Sequence, residues 1–451
     1  MLRTNAAVPG WICPRGEADD PLSDRFLRSL CAAPSSPVAV NDLTPKSCTR
    51  LDASLGAVQW RAVPVGVPAE LHRAAETWHI SCLSDSVRRL LVRIVMMPGD
   101  GIGPEVSAAT ARVLKAVDSN LTLGISLETH EIGLGCLARE GTTLPLGVLE
   151  AARKADGVIL GPVSTLDYPP QAEGGVNVSA ALRKELDLYA NIRPARSHAG
   201  LPHYARTPID LVIVRENTEG FYAVRTMHEG GGEFMPTPEL ALAIRKISAT
   251  SSRRIARTAF ALAEGRRRRV TAVHKANVLK MTDGLFLSEV RKVAAEFPAI
   301  TYEEQLVDSM AAMLVRNAER FDVVVTSNMF GDILSDEATE LSGSIGLGAA
   351  INAGEEHCMA QAQHGSAPDI AGKDLANPVS LIRSAAMLLA WLARRRGVEK
   401  LARAASMIEG ALDRMIADPT TRTRDLGGDL GTAAFTAVLL GELDGSVTEG
   451  G

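Results

Sequence analysis

Between residues 90 and 326 short apolar runs keep returning, with stretches of helical periodicity between or after them. The runs are residues 90–97, 157–160, 210–214, 270–274 and 321–326. Each has the length of a strand and is too short for a buried helix. Helical patterns occupy the stretch after Pro104 through Val117, then residues 238–263 and 377–395. This alternation predicts an α/β protein built on a mostly parallel sheet.

Upstream the pattern is lost. Residues 1–92 show no sustained periodicity, and prolines at 9, 14, 21, 34, 37, 45, 64 and 68 would interrupt any long regular element. The segment is expected to be an irregular, disordered extension, or an artefact upstream of a true start near residues 87–93. Glu17, Asp19, Asp20 and Asp24 argue against a transit peptide, and no apolar secretory core follows Met1. Six cysteines form no CxxC pair, which fits a reducing, cytoplasmic compartment better than a disulfide scaffold. A net charge of −5 disfavours nucleic acid as a partner, and the lack of a long uninterrupted apolar run disfavours a membrane.

Four patterns carry chemistry. Pro98-Gly99-Asp100-Gly101-Ile102-Gly103 sits between a strand and a helix, either as a tight turn or as a set of amides near a cofactor. Arg183 and Arg193 stand in the stretch Leu182 to Pro194, and Arg215 ends the run 210–214; converging forks would hold a di- or tricarboxylate, although singly each is more often a surface ion pair. Asp332 and Asp336, four apart in Asn328 to Asp336, share one face of a helix, where a hard divalent cation would offset their repulsion. An N-cap beside a surface acid is the competing reading. His364 to Asp374 is a polar glycine-rich loop that could wrap an adenosine moiety or simply lie at the surface. The basic run 266–269 is expected to be a solvated helix end.

In this order, these pieces resemble the isocitrate/3-isopropylmalate dehydrogenase family of β-decarboxylating dehydrogenases. The matching stretches are 98–106, 182–194, 214–222 (Val-Arg-Glu-Asn-Thr-Glu-Gly-Phe-Tyr), 273–278 (Val-His-Lys-Ala-Asn-Val), 328–336, 364–378 and 423–428. The resemblance covers residues 93 to 451 and implies a two-domain fold that is not a standard Rossmann domain. Residues 93–189 and 344–451 would form a large cofactor-binding domain, and 190–343 a smaller inserted domain with the dimer interface. It implies a homodimer, substrate contacts from Arg183, Arg193, Arg215, Asn177 and Ser179, and a catalytic pair of Tyr222 and the partner's Lys275. Mg²⁺ or Mn²⁺ would be held by Asp332 and Asp336 with Asp308 from the partner. NAD would lie against His364, Gly365, Ser366, Ala367, Asp369, Ile370 and Asn377. Asp369-Ile370 stands where NADP-using members carry a basic residue and an aromatic, so NAD is expected.

The implied reaction is oxidative decarboxylation of a 3-substituted malate. Isopropylmalate members place two leucines before the first arginine, whereas this chain has Ser179 and Ala180, which favours a polar substituent of the isocitrate or homoisocitrate type. 3-Isopropylmalate, D-malate and tartrate remain the alternatives. A non-catalytic regulatory subunit would share the fold but would be expected to lose the catalytic groups that stand here.

Overall fold

The computed structural model describes residues 91–222 and 231–448. Nearly all of the 1–92 extension, with Cys13, Cys31, Cys48 and Cys82, lies outside the described residues. Among these, the first elements are β1 (Val92–Met97), α1 (Gly103–Leu121) and β2 (Ile125–Thr129). Helices α2 (Leu134–Glu140) and α3 (Leu146–Lys154) lead to β3 (Gly157–Leu160), and α4 (Val178–Glu185) leads to β4 (Ala190–Arg196) and β5 (Asp210–Glu216). A hairpin of β6 (Glu233–Thr237) and β7 (Leu240–Ala243) precedes α5 (Ala249–Glu264), β8 (Arg269–His274), α6 (Thr282–Glu296) and β9 (Thr301–Leu306). Then come α7 (Val307–Asn317), β10 (Val323–Thr326), α8 (Asn328–Ser342), β11 (Ala349–Ala353) and β12 (Cys358–Ala362), followed by α9 (Val379–Arg396), α10 (Glu399–Ala417) and α11 (Thr432–Thr448).

Ten strands form one sheet in the order β2-β1-β3-β12-β11-β4-β5-β10-β8-β9. Pairing is parallel except at β12–β11, β11–β4 and β4–β5. The sheet is therefore mostly parallel, as the alternation of runs and helices leads one to expect, but its order is not that of a Rossmann domain. Strands from 92–160 and 349–362 make one half, and strands from 190–326 the other.

Side chains alternate across a strand, so each face can be read from the sequence once the register is known. On one face Ile94, Ile159, Ala360, Ile351, Ile192, Val214 and Val325 belong to a continuous core with the inward sides of α1, α5, α6, α9, α10 and α11. The opposite face carries two separate cores. Val95, Val158 and Met359 pack with α3 and α4, while Leu211, Ile213 and Val324 pack with α7 and α8. Between these cores the same face presents Gln361, Asn352, Asn191, Arg193 and Arg215. The register puts Asn352 opposite Asn191 and Asn191 opposite Arg215. Gln361 pairs with Ala350, two residues from Asn352, and so shares its face. The floor of the gap between α4 and α8 is therefore a polar strip of sheet.

Two expectations are corrected. The pattern over 238–263 is not one helix: Pro238 and Glu239 turn the β6–β7 hairpin, and Ser248 caps α5 by accepting from the Ser251 amide at 3.2 Å. Alternating Leu240-Ala241-Leu242-Ala243 satisfies a strand as well as a helix, and cross-strand pairing with β6 decides it. Nor is the 266–269 run a solvated helix end. Arg266 pairs with Asp210 and Asp322 at 2.8 Å each, and Arg267 donates to the carbonyls of Asp210 and Glu319. These cations tie the end of α5 to the starts of β5 and β10. No helix of the described residues is long and apolar enough to cross a membrane.

Candidate active site

β10 ends at Thr326, and α8 starts at Asn328, directing Asp332 and Asp336 over the polar strip. The approach is close because residue 331 is glycine: a Cβ there would lie 2.6 Å from Arg215 Cγ. Arg215, only 2% exposed, donates from Nε and Nη2 to Asn328 Oδ1 at 3.1 and 2.7 Å, and from Nη1 to Asp332 Oδ1. Arg193 Nη1 reaches Asp336 Oδ1 at 3.0 Å, Asp332 Oδ1 at 3.3 Å and Ser335 Oγ at 2.8 Å. Tyr222 donates to Asp332 Oδ2 at 3.2 Å, and its ring lies under the Arg215 guanidinium at 5.8 Å. Gln363 donates to Asp336 Oδ1 at 2.7 Å. Both acids are thus compensated by buried guanidinium groups while their own side chains stay 34% and 50% exposed.

Arg183 faces the other side of the strip from α4. Its Nη2 donates to Gln361 Oε1 at 3.2 Å, and Ser179 Oγ donates to the same oxygen at 3.3 Å. Asn177 accepts the Ala180 amide at 2.9 Å and caps α4, which gives this residue a structural task beside any contact with substrate.

The expected catalytic lysine and third acid stand apart from this cluster. Lys275 Nζ donates to Asp308 Oδ1 at 2.5 Å, and neither residue is hydrogen-bonded or ion-paired to Asp332 or Asp336. The lysine pulls the Asp308 carboxyl below its ordinary range. Among the described residues no three His, Cys, Asp or Glu side chains are grouped to hold a metal ion. Two oxygen donors on one helix face suit a hard divalent cation but do not complete its shell.

The loop after β1 meets the loop after β12. Ile102 donates its amide to the Ser366 carbonyl at 2.8 Å, and a Cβ on Gly101 would lie 2.0 Å from that oxygen, so only glycine allows the approach. Buried Asp100 fixes the turn by accepting from the amides of Leu134 and Ser164 and from the Tyr168 hydroxyl at 2.7, 3.0 and 2.6 Å. Burial, then the Asp100 contact, pushes the Tyr168 phenol up. His364 is lowered by burial, its Nδ1 lies 3.0 Å from the Gly365 carbonyl, and its enclosed Nε2 has no partner among the described residues. Gly365 borders open space. Ser366 Oγ is 2.8 Å from Ser164 Oγ, Ala367 adopts φ +38°, and Asn377 donates to Asp425 at 2.9 Å. Asp369 and Ile370 lie in the turn Pro368–Ile370, with Asp369 exposed.

The structure thus gathers Arg193, Arg215, Tyr222, Asp332 and Asp336 directly and brings Arg183 and Ser179 to the same strip through Gln361. Asn191, Asn217, Asn328, Asn352, Gln361 and Gln363 were missed from sequence. Asn191 alternating with Arg193 is a two-residue signal on one face that could have marked the strip.

Residues 93–439 match the family model described as isocitrate/isopropylmalate dehydrogenase. A 3-isopropylmalate dehydrogenase from Methanothermobacter thermautotrophicus is 40% identical over 354 residues, 78% of this chain and 99% of that protein. An isocitrate/homoisocitrate dehydrogenase from Thermus thermophilus is 41% identical over 351 residues, 77% and 97% of the two chains. The crystal structure of isocitrate dehydrogenase from Methylococcus capsulatus matches with a TM-score of 0.70 and 37% identity, covering 78% of this chain and 99% of that one.

Proposed function

The chain belongs to the isocitrate/isopropylmalate dehydrogenase family, and from that premise we propose that it oxidatively decarboxylates a 3-substituted malate with a polar substituent, using NAD. The observation that carries this is the polar strip, where guanidinium groups from α4, β4 and β5 border two partly exposed carboxylates. Arg183, Arg193 and Arg215 bind and orient the substrate carboxylates through their guanidinium N–H groups. Asp332 and Asp336 would hold Mg²⁺ or Mn²⁺, with Asp308 of a second copy completing the shell. Bound there, the cation would act as a Lewis acid toward the substrate hydroxyl, and NAD would take hydride from C2. Lys275 of the second copy, released from Asp308 when that carboxylate turns to the cation and having first lost its own proton to solvent, would accept the hydroxyl proton, and Tyr222, held by Asp332, would deliver a proton to C3 after CO₂ leaves.

The fit to NAD rests on His364 Nε2, a buried donor or acceptor with no partner among the described residues, and on open space at Gly365. Asp369 can accept from ribose hydroxyls and would repel a 2′-phosphate. The two groups of strands then serve as the large and small domains with the strip between them. A homodimer accounts for both the separate Lys275–Asp308 pair and the β6–β7 hairpin. Its Phe234, Met235, Leu240 and Leu242 are 44–63% exposed, an apolar surface suited to a second copy.

The test is to mix the full chain with isocitrate, homoisocitrate, 3-isopropylmalate, D-malate or tartrate, a divalent cation, and NAD or NADP. Reduced cofactor should form fastest with NAD and a tricarboxylate. A higher kcat/KM with NADP refutes the cofactor assignment, and a preference for 3-isopropylmalate refutes the polar substituent.

Tyr222→Phe separates the two half-reactions. Loss of a general acid costs on the order of 10²- to 10⁴-fold, and that loss should fall on the overall reaction, while reduction of the isolated keto acid by NADH is much less affected. Equal losses in both assays would contradict the assignment.

A further inference from the structure

Gln361 is the one partly exposed residue of β12, at the end of the polar strip that meets Arg183. Its Oε1 accepts from Arg183 Nη2 at 3.2 Å, Ser179 Oγ at 3.3 Å and Asn352 Nδ2 at 3.2 Å. Arginine can only donate, so the atom facing it is the amide oxygen and the orientation of Gln361 is fixed by chemistry. The same logic fixes Asn352. Its Oδ1 accepts from Asn191 Nδ2 at 3.1 Å and Asn217 Nδ2 at 3.0 Å, which turns its Nδ2 toward Gln361. Those two asparagines also donate to the carbonyls of Ile351 and Leu188, so the amide chain is anchored on the backbone. Gln361 Nε2 is left with no partner among the described residues, and it is not enclosed.

An amide oxygen aims a guanidinium without cancelling its charge, whereas a carboxylate in the same place would do both. We propose that Gln361 determines which C3 substituent the site accepts. Its oxygen positions Arg183 and Ser179, and its Nε2 donates to an oxygen of the substituent. A substituent carboxylate satisfies this donor; a branched alkyl group leaves it desolvated and unpaired, the arrangement that gives a site its strongest discrimination. This rests on the oxidative decarboxylation reading above and names the residue that sets its specificity.

The experiment compares isocitrate with 3-isopropylmalate for the full-length protein, Gln361→Glu and Gln361→Leu. Kinetics are run with NAD and Mg²⁺, calorimetric affinities with Mg²⁺ alone, and melting curves report folding. In Gln361→Glu the isocitrate KM should rise by about tenfold or more with kcat within about threefold, because the new carboxylate neutralises Arg183 and repels the substituent. In Gln361→Leu the isocitrate to 3-isopropylmalate ratio of kcat/KM should fall on the order of 10²-fold, and Gln361→Asn should restore part of it. The proposal is overturned if the ratio is unchanged in correctly folded variants, if kcat falls at constant KM, or if the wild type prefers 3-isopropylmalate. A wild type that turns over none of these acids counts against the reaction class. The calorimetric ratio then decides the role of Gln361, with equal affinity changes for the two ligands overturning it.

Discussion

Asp332→Asn is expected to lower kcat/KM by about 10³-fold or more and to destabilise the fold as well. Oδ1 of this side chain meets Arg215 and Arg193, and Oδ2 accepts from Tyr222 at 3.2 Å. An asparagine can offer its single oxygen to the guanidinium groups or to the tyrosine, but not to both. If the oxygen stays with the arginines, the NH₂ faces the Tyr222 hydroxyl, which must then accept, and its proton is no longer anchored. The negative charge disappears from beside Arg215, which is 2% exposed. Leaving a buried cation uncompensated costs about 3–5 kcal/mol when the pair is fully enclosed. The partial exposure of Asp332 and the remaining Asn328 contact reduce the expected cost to about 1–3 kcal/mol. Divalent cation affinity should fall with the activity.

Asp336→Asn supplies the contrast. Its side chain is half-exposed and shares Arg193 and Gln363, so its stability cost should be under about 1 kcal/mol while cation affinity and turnover drop as for Asp332. Steady-state rates at saturating Mg²⁺, calorimetric Mg²⁺ titration and thermal unfolding measure the three quantities. Retention of full activity and Mg²⁺ affinity in both variants would remove the acids from the chemistry and leave them as partners of the arginines.

Much of this arrangement could be read before the fold was known, for a physical reason. Although Arg193 lies in a strand, Ala190–Arg196, that no run marked, and its place was implied by the family resemblance, Asp332 and Asp336 share a helix face and Arg215 ends the apolar run 210–214, signals written in neighbouring residues. The loop at Gly101 was readable in the same way, because the turn and its glycines are contiguous. Gln361 and Asn352 were not. They lie in runs of small residues, Cys358 to Ala362 and Ala349 to Ala353, and their meaning comes from the register of strands about 160 residues from Asn191. The β6–β7 hairpin escaped for the opposite reason. Its apolar side chains are exposed on this chain, so no burial pattern distinguishes strand from helix. Arg266 and Arg267 looked like a charge run because their acids and carbonyls belong to other segments.

A second large effect is expected at a charge cluster away from the polar strip. Arg383 lies on the buried side of α9, 6% exposed, beside a cavity of about 400 Å³ whose lining includes Arg196, His198, Asp210, Arg266, Glu409 and Asp413. Its Nη2 donates to Asp413 Oδ1 at 2.6 Å, Nη1 meets His198 Nε2 at 2.7 Å, and Nε lies 3.4 Å from Glu409 Oε2. Arg196 donates to both Asp413 oxygens at 2.6 and 2.7 Å. Since Arg383 cannot accept, His198 Nε2 must, which makes the ring neutral with its proton on Nδ1, 3.4 Å from Asp413 Oδ1. Arg383→Met should therefore cost about 2–4 kcal/mol, less than for a fully enclosed pair because Arg196 still covers Asp413. The activity of the folded protein should be little changed.

The same cluster fixes a pH dependence. Burial lowers the His198 pKa, helped by the charges of Arg383 and Arg196 and opposed by Asp413. A depressed pKa means that the unfolded chain takes up the proton first, so stability is full above about pH 6.5 and is lost as pH falls through the folded value. Burial raises Glu409, which contributes a slope of opposite sign at acid pH. Burial would also raise Asp413, but hydrogen bonds from His198 and Arg196 and the nearby guanidinium charges hold it well below the carboxylate range, so its loss comes at lower pH. Comparison with His198→Gln isolates the histidine, because glutamine can accept from Arg383 and donate to Asp413 without titrating. Denaturant unfolding between pH 5 and pH 7.5 should show the wild type losing up to about 1.4 kcal/mol per pH unit more than this variant below pH 6.5. Parallel pH profiles would mean that the folded His198 ring takes up its proton in step with the unfolded chain, and its contact with Arg383 would then have to break as the ring charges.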